Sequence, residues 1–142
     1  MRALLDINVL IALLDGAHVH HLRARRWLEA NIDHGWASCP ITQNGCLRIL
    51  GQPGYPQPLP LAQAADRLRR ATATAHHEFW SDDVSVLDAA LVDTRRIHGP
   101  KQLTDIYLLA LAVRHGGRFV SFDARIARSA VPAAAEHHLA LL

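Results

Sequence analysis

The 142-residue sequence has few cysteines, little net charge and no long apolar run. Its two cysteines, Cys39 and Cys46, lack the spacing of a zinc or redox motif, which predicts reduced core thiols. A formal net charge of +2 is too small to identify a polyanionic partner. The apolar stretch at 4–14 contains Asp6 and is too short to cross a bilayer, and the N-terminus lacks the basic region and cleavage site of a secretion signal. We therefore expect a cytoplasmic protein with no membrane partner.

Half of the residues are apolar, and glycine and proline occur in ordinary numbers. A chain of this length buries roughly two thirds of the surface that its unfolded form exposes. There is no internal repeat or low-complexity segment, and the proline-rich stretch GQPGYPQPLP at 51–60 is predicted to be a loop. We therefore predict one packed domain that spans residues 1–142.

Short apolar runs alternate with helical patterns along the chain. The predicted strands are 2–5, 35–40, a strand and turn at 77–83, 118–122 and 138–142. The predicted helices are 8–16, 20–32, 43–50 with Thr42 as its cap, 61–73, 85–96, and 103–117 with Thr104 or Asp105 at its start. This alternation predicts an α/β fold with a mostly parallel sheet that helices cover on both faces.

Three aspartates stand where a predicted strand ends or a predicted helix begins. Asp6 follows the first strand, Asp105 opens an apolar helix, and Asp123 follows the strand after that helix. Ligands of parallel sheets bind at the carboxyl ends of the strands, near a switch in strand order, so we expect these acids to converge on one cleft. Helix capping is an alternative explanation for Asp105 and Asp123, but it does not explain a second polar residue, Asn8, beside Asp6.

If the three carboxylates converge, their repulsion requires a proton or a bound cation. Two carboxylates about 4 Å apart repel by roughly 4 kcal/mol at an effective dielectric constant of about 20. A site with oxygen ligands and no cysteine or clustered imidazole favours Mg²⁺ or Mn²⁺ over zinc. Such an ion usually shares its coordination shell with substrate phosphate in nucleases and phosphatases. The aspartates therefore predict the metal-assisted chemistry of nucleases and phosphatases.

Four segments, in this order and spacing, resemble the PIN-domain family and within it the VapC-like toxins of bacterial toxin and antitoxin pairs. They are LLDINVLIALLD, CPITQNGCLRIL, LTDIYLLALA and FVSFDARI. The resemblance covers essentially the whole chain and implies a three-layer α/β/α sandwich. It also implies a divalent-metal endoribonuclease that leaves 5′-phosphate and 3′-hydroxyl ends, forms a homodimer and is silenced by a cognate VapB-like antitoxin.

The same resemblance implies roles for individual residues. Asp6, Asp105 and Asp123 match the family's acids and are expected to hold Mg²⁺ or Mn²⁺. Asn8 and Ser121 match polar positions that flank the site, where they are expected to orient ligands or water.

Gln43 departs from the family's pattern, which usually has a glutamate at the matching position. A neutral amide can position a water or ligate through its carbonyl, but it removes one negative charge from the site. A second hypothesis is therefore a catalytically weakened PIN domain that binds RNA or a protein partner without cutting. A third hypothesis is a phosphatase or phosphoryl-acceptor protein with Asp6 as nucleophile. That chemistry needs an acid two residues later or a lysine nearby, whereas the chain has Asn8 at that position and a single lysine, so this hypothesis ranks last.

Basic residues on three segments are predicted to lie along the path of an RNA backbone: Lys101, Arg25 and Arg96. Lys101 is favoured because it lies in the loop that leads to Asp105. Solvated helix faces are the competing explanation for such clusters. The histidine clusters at 18–21, 76–77 and 137–138 match no specific metal motif, so we predict no zinc or nickel site there.

Overall fold

A five-stranded sheet forms the centre of the structure, a computed structural model that describes all 142 residues. The strands are β1 (Ala3–Leu5), β2 (Trp36–Ser38), β3 (His77–Phe79), β4 (Arg118–Ser121) and β5 (Leu139–Leu141). Every neighbouring pair is parallel, in the order β3-β2-β1-β4-β5. The α/β fold is thus confirmed, with a fully parallel sheet.

Five helices cover the two faces of this sheet: α1 (Ile7–Leu14), α2 (His21–Asn31), α3 (Pro40–Gly51), α4 (Leu61–Thr72) and α5 (Leu103–Arg114). Successive residues of a strand point to opposite faces. Leu4 and Phe119 therefore belong to the core beneath α5, whereas Leu5 and Val120 belong to the core beneath α1 to α4. These two separate cores give the three-layer α/β/α sandwich.

The start of α3 differs from its prediction. The helix begins at Pro40, and Thr42 is not the residue before it but lies in its first turn. The Thr42 hydroxyl accepts a hydrogen bond of 3.0 Å from the backbone N–H of Cys39, so it caps the helix from within. Gly45 lies inside the helix, at a point where any Cβ would come within 2.8 Å of Cγ1 of Ile7. The glycine thus allows α1 and α3 to pack closely.

The helix predicted at 85–96 is wrong. Most of the segment forms turns, and only 94–96 forms a short 3₁₀ helix. The Ser85 hydroxyl accepts from the N–H of Leu87, and the Asp88 carboxylate accepts from the N–H of Ala90. Such local bonds between side chain and backbone compete with helix formation. Leu87 is 88% exposed, and only the later part of the segment, at Val92, reaches the core.

The strand order reverses at β1. From β1 the chain adds β2 and β3 on one side, and it then returns to add β4 and β5 on the other side. The C-terminal ends of β1 and β4 are therefore neighbours at the switch point, which is where parallel sheets bind ligands. No helix of the fold has the length and apolarity to span a membrane.

Candidate active site

Asp6 is a buried carboxylate at the C-terminal end of the central strand β1. Its Oδ1 accepts a hydrogen bond of 2.7 Å from the backbone N–H of Ile7, the first residue of α1, and the residue is 6% exposed. Burial raises the pKa of Asp6, although hydrogen bonds from Ser121 and Ile7 act in the opposite direction. Asp6 is therefore held rigidly, with its negative charge only partly compensated.

Ser121 links the ends of β1 and β4 across the switch point. Its hydroxyl donates a hydrogen bond of 2.7 Å to Oδ2 of Asp6 and accepts one of 3.0 Å from the backbone N–H of Asp123. The serine is fully buried, so these bonds are shielded from water. Ser121 thus positions two of the three predicted acids.

Asp123 is partly exposed and paired with Arg125. Its Oδ1 accepts from the backbone N–H of Arg125 at 2.8 Å and from Nε at 2.9 Å, and Oδ2 accepts from Nη2 at 2.9 Å. These hydrogen bonds lower the pKa of Asp123. The carboxylate is therefore ionised and already carries a cationic partner.

Asp105 lies half-buried in the first turn of α5, which packs on the opposite face of the sheet from α1. Burial is the main cause that raises its pKa to about 7, and the negative charges of Asp6 and Asp123 add to the effect. Repulsion of this kind requires that the three carboxylates lie near one another. Asp6 and Asp123 therefore lie near enough to Asp105 for their charges to act on it.

The arrangement is not a preformed metal cage. No group of three or more His, Cys, Asp or Glu side chains lies close enough to hold an ion, and the Arg125 guanidinium engages both oxygens of Asp123. The donor chemistry nevertheless fits a hard divalent cation: the ligands are carboxylate oxygens, their charges repel, and a cationic group already binds one of them. The chemistry of these residues fits such a cation, and metal binding itself stays a prediction.

Gln43 lies at the other side of β1, next to β2. Its Nε2 donates a hydrogen bond of 3.0 Å to Oγ of Ser38, and the same hydroxyl is 2.8 Å from Nε2 of His77. The Gln43 side chain also lines a groove between α3 and α4. The structure thus directs its amide nitrogen to Ser38, and no hydrogen bond joins Gln43 to the aspartates.

The remaining predicted residues lie on the surface. Asn8 is exposed in the first turn of α1, and Lys101 is exposed in the short turn before α5. Arg25 pairs with Glu29 on α2 at 2.7 Å, and Arg96 pairs with Asp93 at 3.4 Å. None of the four is hydrogen-bonded to the aspartates, and their predicted roles stay predictions.

Sequence reasoning missed Arg125. The available signal was its spacing: the backbone N–H two residues after an aspartate commonly bonds the carboxylate, which turns the following side chain back towards it. Hydrophobic periodicity carries no information about such a contact, since Arg125 is an exposed residue after a strand.

Comparison with known proteins places the whole chain among a set of nucleases. The PIN domain family matches residues 3–132. The sequence is 61% identical to Ribonuclease VapC44 of Mycobacterium tuberculosis over 142 residues, which cover 100% of both chains. It is 44% identical to Ribonuclease VapC39 of the same species, over 92% of this chain and 94% of the relative.

Two solved structures have the same fold at low sequence identity. The crystal structure of VapBC2 from Rickettsia felis, bound to a DNA fragment from its promoter, aligns with a TM-score of 0.64 at 12% identity, over 100% of this chain and 98% of the other. The structure of Mycobacterium tuberculosis VapC20, a Sarcin-Ricin loop cleaving toxin, aligns with a TM-score of 0.63 at 14% identity, over 93% of this chain and 98% of the other.

Proposed function

Because this chain belongs to the PIN-domain family and, within it, to the VapC group, we propose that it is a metal-dependent endoribonuclease toxin that hydrolyses phosphodiester bonds of RNA. The observation that carries the proposal is the Ser121 hydroxyl, which bonds both Asp6 and the backbone of Asp123 at the switch point between β1 and β4, with the charges of both acids acting on Asp105. Full-length identity of 61% to Ribonuclease VapC44 supports the choice of RNA as substrate.

In this proposal Asp6, Asp105 and Asp123 hold Mg²⁺ or Mn²⁺. When bound, the cation lowers the pKa of a water molecule and polarises the scissile phosphate. Asp6 and Asp123 differ in rigidity. Asp6 is buried and held by two hydrogen bonds, whereas Asp123 is exposed enough to exchange partners.

The neighbouring groups of the chain set the geometry of these ligands. The Ser121 hydroxyl fixes Oδ2 of Asp6, and the N–H of Ile7 fixes Oδ1, so the carboxylate keeps one orientation. The Asp105 carboxyl is protonated in about half of the molecules near neutral pH when no cation is present, because its pKa is about 7. The Asp105 carboxyl would therefore have to release that proton in order to hold a cation.

We further propose a VapB-like antitoxin as the protein partner, a homodimeric assembly and a cytoplasmic location. Relatives with VapC names and the VapBC2 fold neighbour support the antitoxin. Exposed apolar side chains provide surface for such contacts: Val19, Leu22, Leu61 and Leu87.

The proposal is tested by RNA cleavage in Mg²⁺ or Mn²⁺, with EDTA as the metal-free reference. We expect Asp6→Asn and Asp105→Asn to reduce cleavage by at least about 100-fold, since even outer-sphere partners of a metal typically contribute 10- to 100-fold. Asp33→Asn, a change at an exposed aspartate outside the site, should cleave normally. Undiminished cleavage by Asp6→Asn, or cleavage that persists in EDTA, contradicts the proposal.

A second candidate function is a weakened PIN domain that binds RNA or a protein without cutting. Two observations favour it: position 43 is a neutral glutamine, and the Arg125 guanidinium already engages Asp123. Tight RNA binding without cleavage, at saturating Mn²⁺ and with no antitoxin present, would favour this candidate over the toxin.

A further inference from the structure

The side chain of Arg125 engages Asp123 in a two-pronged contact. Nε donates to Oδ1 and Nη2 donates to Oδ2, both at 2.9 Å. Fork-shaped contacts of this kind are the strongest that arginine makes with a carboxylate. Both oxygens of Asp123 are therefore already in use before any metal ion binds.

The charge of Arg125 extends beyond Asp123. It also lowers the pKa of Asp105, against burial and the two neighbouring carboxylates, and Asp105 in turn raises the pKa of Arg125. Arg125 is the one cationic side chain whose charge acts on Asp105 or Asp123. The chain thus supplies a single positive charge of its own to the acid cluster.

The Arg125–Asp123 ion pair has good hydrogen-bond geometry, but it lies on the surface and can be broken at low cost. The Arg125 side chain is 81% exposed, so its guanidinium can move from Asp123 into water without opening the core. Exposed ion pairs generally contribute little to stability because water and salt screen them. The guanidinium can therefore exchange with another cation.

We propose that Arg125 is an internal counter-cation that competes with the divalent ion for Asp123 and so sets the metal affinity of the acid cluster. The inference rests on the metal site of the proposed function. In the metal-free state the guanidinium holds Asp123. In the metal-bound state it leaves Asp123 and faces solvent at the rim of the site.

A purely structural role for Arg125 predicts different behaviour. The turn after β4 is also closed by the backbone N–H of residue 125, which bonds Oδ1 of Asp123 at 2.8 Å and is retained in Arg125→Ala. If the side chain only stabilised the turn, its removal would leave metal affinity unchanged or lower it. If it competes with the metal, its removal raises metal affinity.

The test is titration of Mn²⁺ without RNA, with free Mn²⁺ counted by electron paramagnetic resonance. We expect Arg125→Ala to bind Mn²⁺ about three- to tenfold more tightly than the unmodified chain, and Arg125→Lys, which keeps the charge without the fork, to lie between. Arg128→Ala is the matched control, because Arg128 is an exposed arginine three residues later that bonds a backbone carbonyl and no carboxylate.

A second measurement follows the arginine directly. In nuclear magnetic resonance spectra, the Nε–H signal of Arg125 should be protected from solvent exchange without metal and lose that protection when Mg²⁺ is added. Arg125→Gln, which keeps a long polar side chain, replaces the alanine variant if circular dichroism shows that the latter is unfolded.

The results separate failure of this inference from failure of the metal site. If Asp6→Asn loses Mn²⁺ binding while Arg125→Ala matches the unmodified chain, the metal site stands and the role of Arg125 is wrong. If no variant binds Mn²⁺, both are wrong. Tighter binding by Arg125→Ala alone, with Arg128→Ala unchanged, establishes the competition.

Discussion

The hydroxyl of Ser121 donates a hydrogen bond of 2.7 Å to Oδ2 of Asp6, and both residues are buried. Ser121→Ala removes the donor and leaves a buried carboxylate oxygen without a partner. We expect a loss of about 1–3 kcal/mol in the free energy of unfolding and a loss of about 10- to 100-fold in Mn²⁺ affinity. Urea unfolding and Mn²⁺ titration measure the two effects.

The chain contains a matched control for this change. Ser38 is also fully buried and ends the neighbouring strand β2, but its hydroxyl contacts Gln43 and His77. Ser38→Ala should therefore reduce stability while leaving Mn²⁺ affinity within about twofold. Equal losses of affinity in both serine variants would mean that Ser121 acts through general stability alone.

The raised pKa of Asp105 makes the metal-free protein less stable as the pH rises. Below about pH 4 its carboxyl is protonated in both the folded and the unfolded chain. Between pH 4 and 7 only the unfolded chain releases the proton, because the folded pKa is about 7 against an ordinary value of 3.8. This contribution to stability is therefore lost as the pH rises through 7.

Asp105→Asn removes that dependence. In EDTA at pH 8 the variant should be more stable than the unmodified chain by about 1–2 kcal/mol, after allowance for solvent at a half-buried side chain. The advantage should shrink towards pH 4. Urea unfolding at pH 5 and pH 8 measures it, with Asp33→Asn as control, and a variant that is less stable at pH 8 would disprove the assigned direction.

Strand order and the location of the acids were predictable to different degrees. The short apolar runs that end at Asp6 and Asp123 identify buried strands, because a parallel sheet covered on both faces needs continuous apolar residues. Which strands become neighbours is not encoded locally, so the pairing of β1 with β4 and the Ser121 contact required the structure. Arg125 was missed for a different reason: its contact with Asp123 is local, but hydrophobic periodicity carries no information about it.

Errors in helix assignment had two physical causes. The segment 85–96 has helical spacing, but Ser85 and Asp88 bond nearby N–H groups and stabilise turns instead. The predicted start of α3 was three residues late, because Thr42 was assigned as the residue before the helix, whereas its hydroxyl caps the helix from the first turn. Gly45 disfavours a helix by propensity alone, but it lies inside both the predicted and the observed helix. Close packing against Ile7, a tertiary contact, overrides that propensity.

Gln43→Glu discriminates between the active and the weakened site. Because the Gln43 amide donates to Ser38 and lines the groove between α3 and α4, we expect the new carboxylate to change Mn²⁺ affinity and cleavage by no more than about threefold. Mn²⁺ affinity and RNA cleavage are measured for Gln43→Glu and for the unmodified chain over the same series of Mn²⁺ concentrations. A large gain in both affinity and cleavage would favour the weakened-site alternative instead.

Gly45→Ala tests the close contact between α1 and α3. The added methyl group would overlap the side chain of Ile7, and the backbone N–H of the same residue holds Asp6. We therefore expect a loss of about 1–3 kcal/mol in stability together with weaker Mn²⁺ binding. Ile7→Val removes Cδ1, the terminal methyl group in that overlap. The double variant should recover part of both losses, and additive losses in the double-mutant cycle would show that the two residues are not coupled.

The pairing of β1 with β4 also sets when the acid cluster can come into existence. Asp6 precedes Ser121 by 115 residues, so the strand that carries its serine donor is synthesised long after it. A chain halted before β4 has a central strand with an open edge and a carboxylate without its serine donor. The acid cluster therefore assembles only after β4 has been synthesised, and a chain that stops before β4 lacks it.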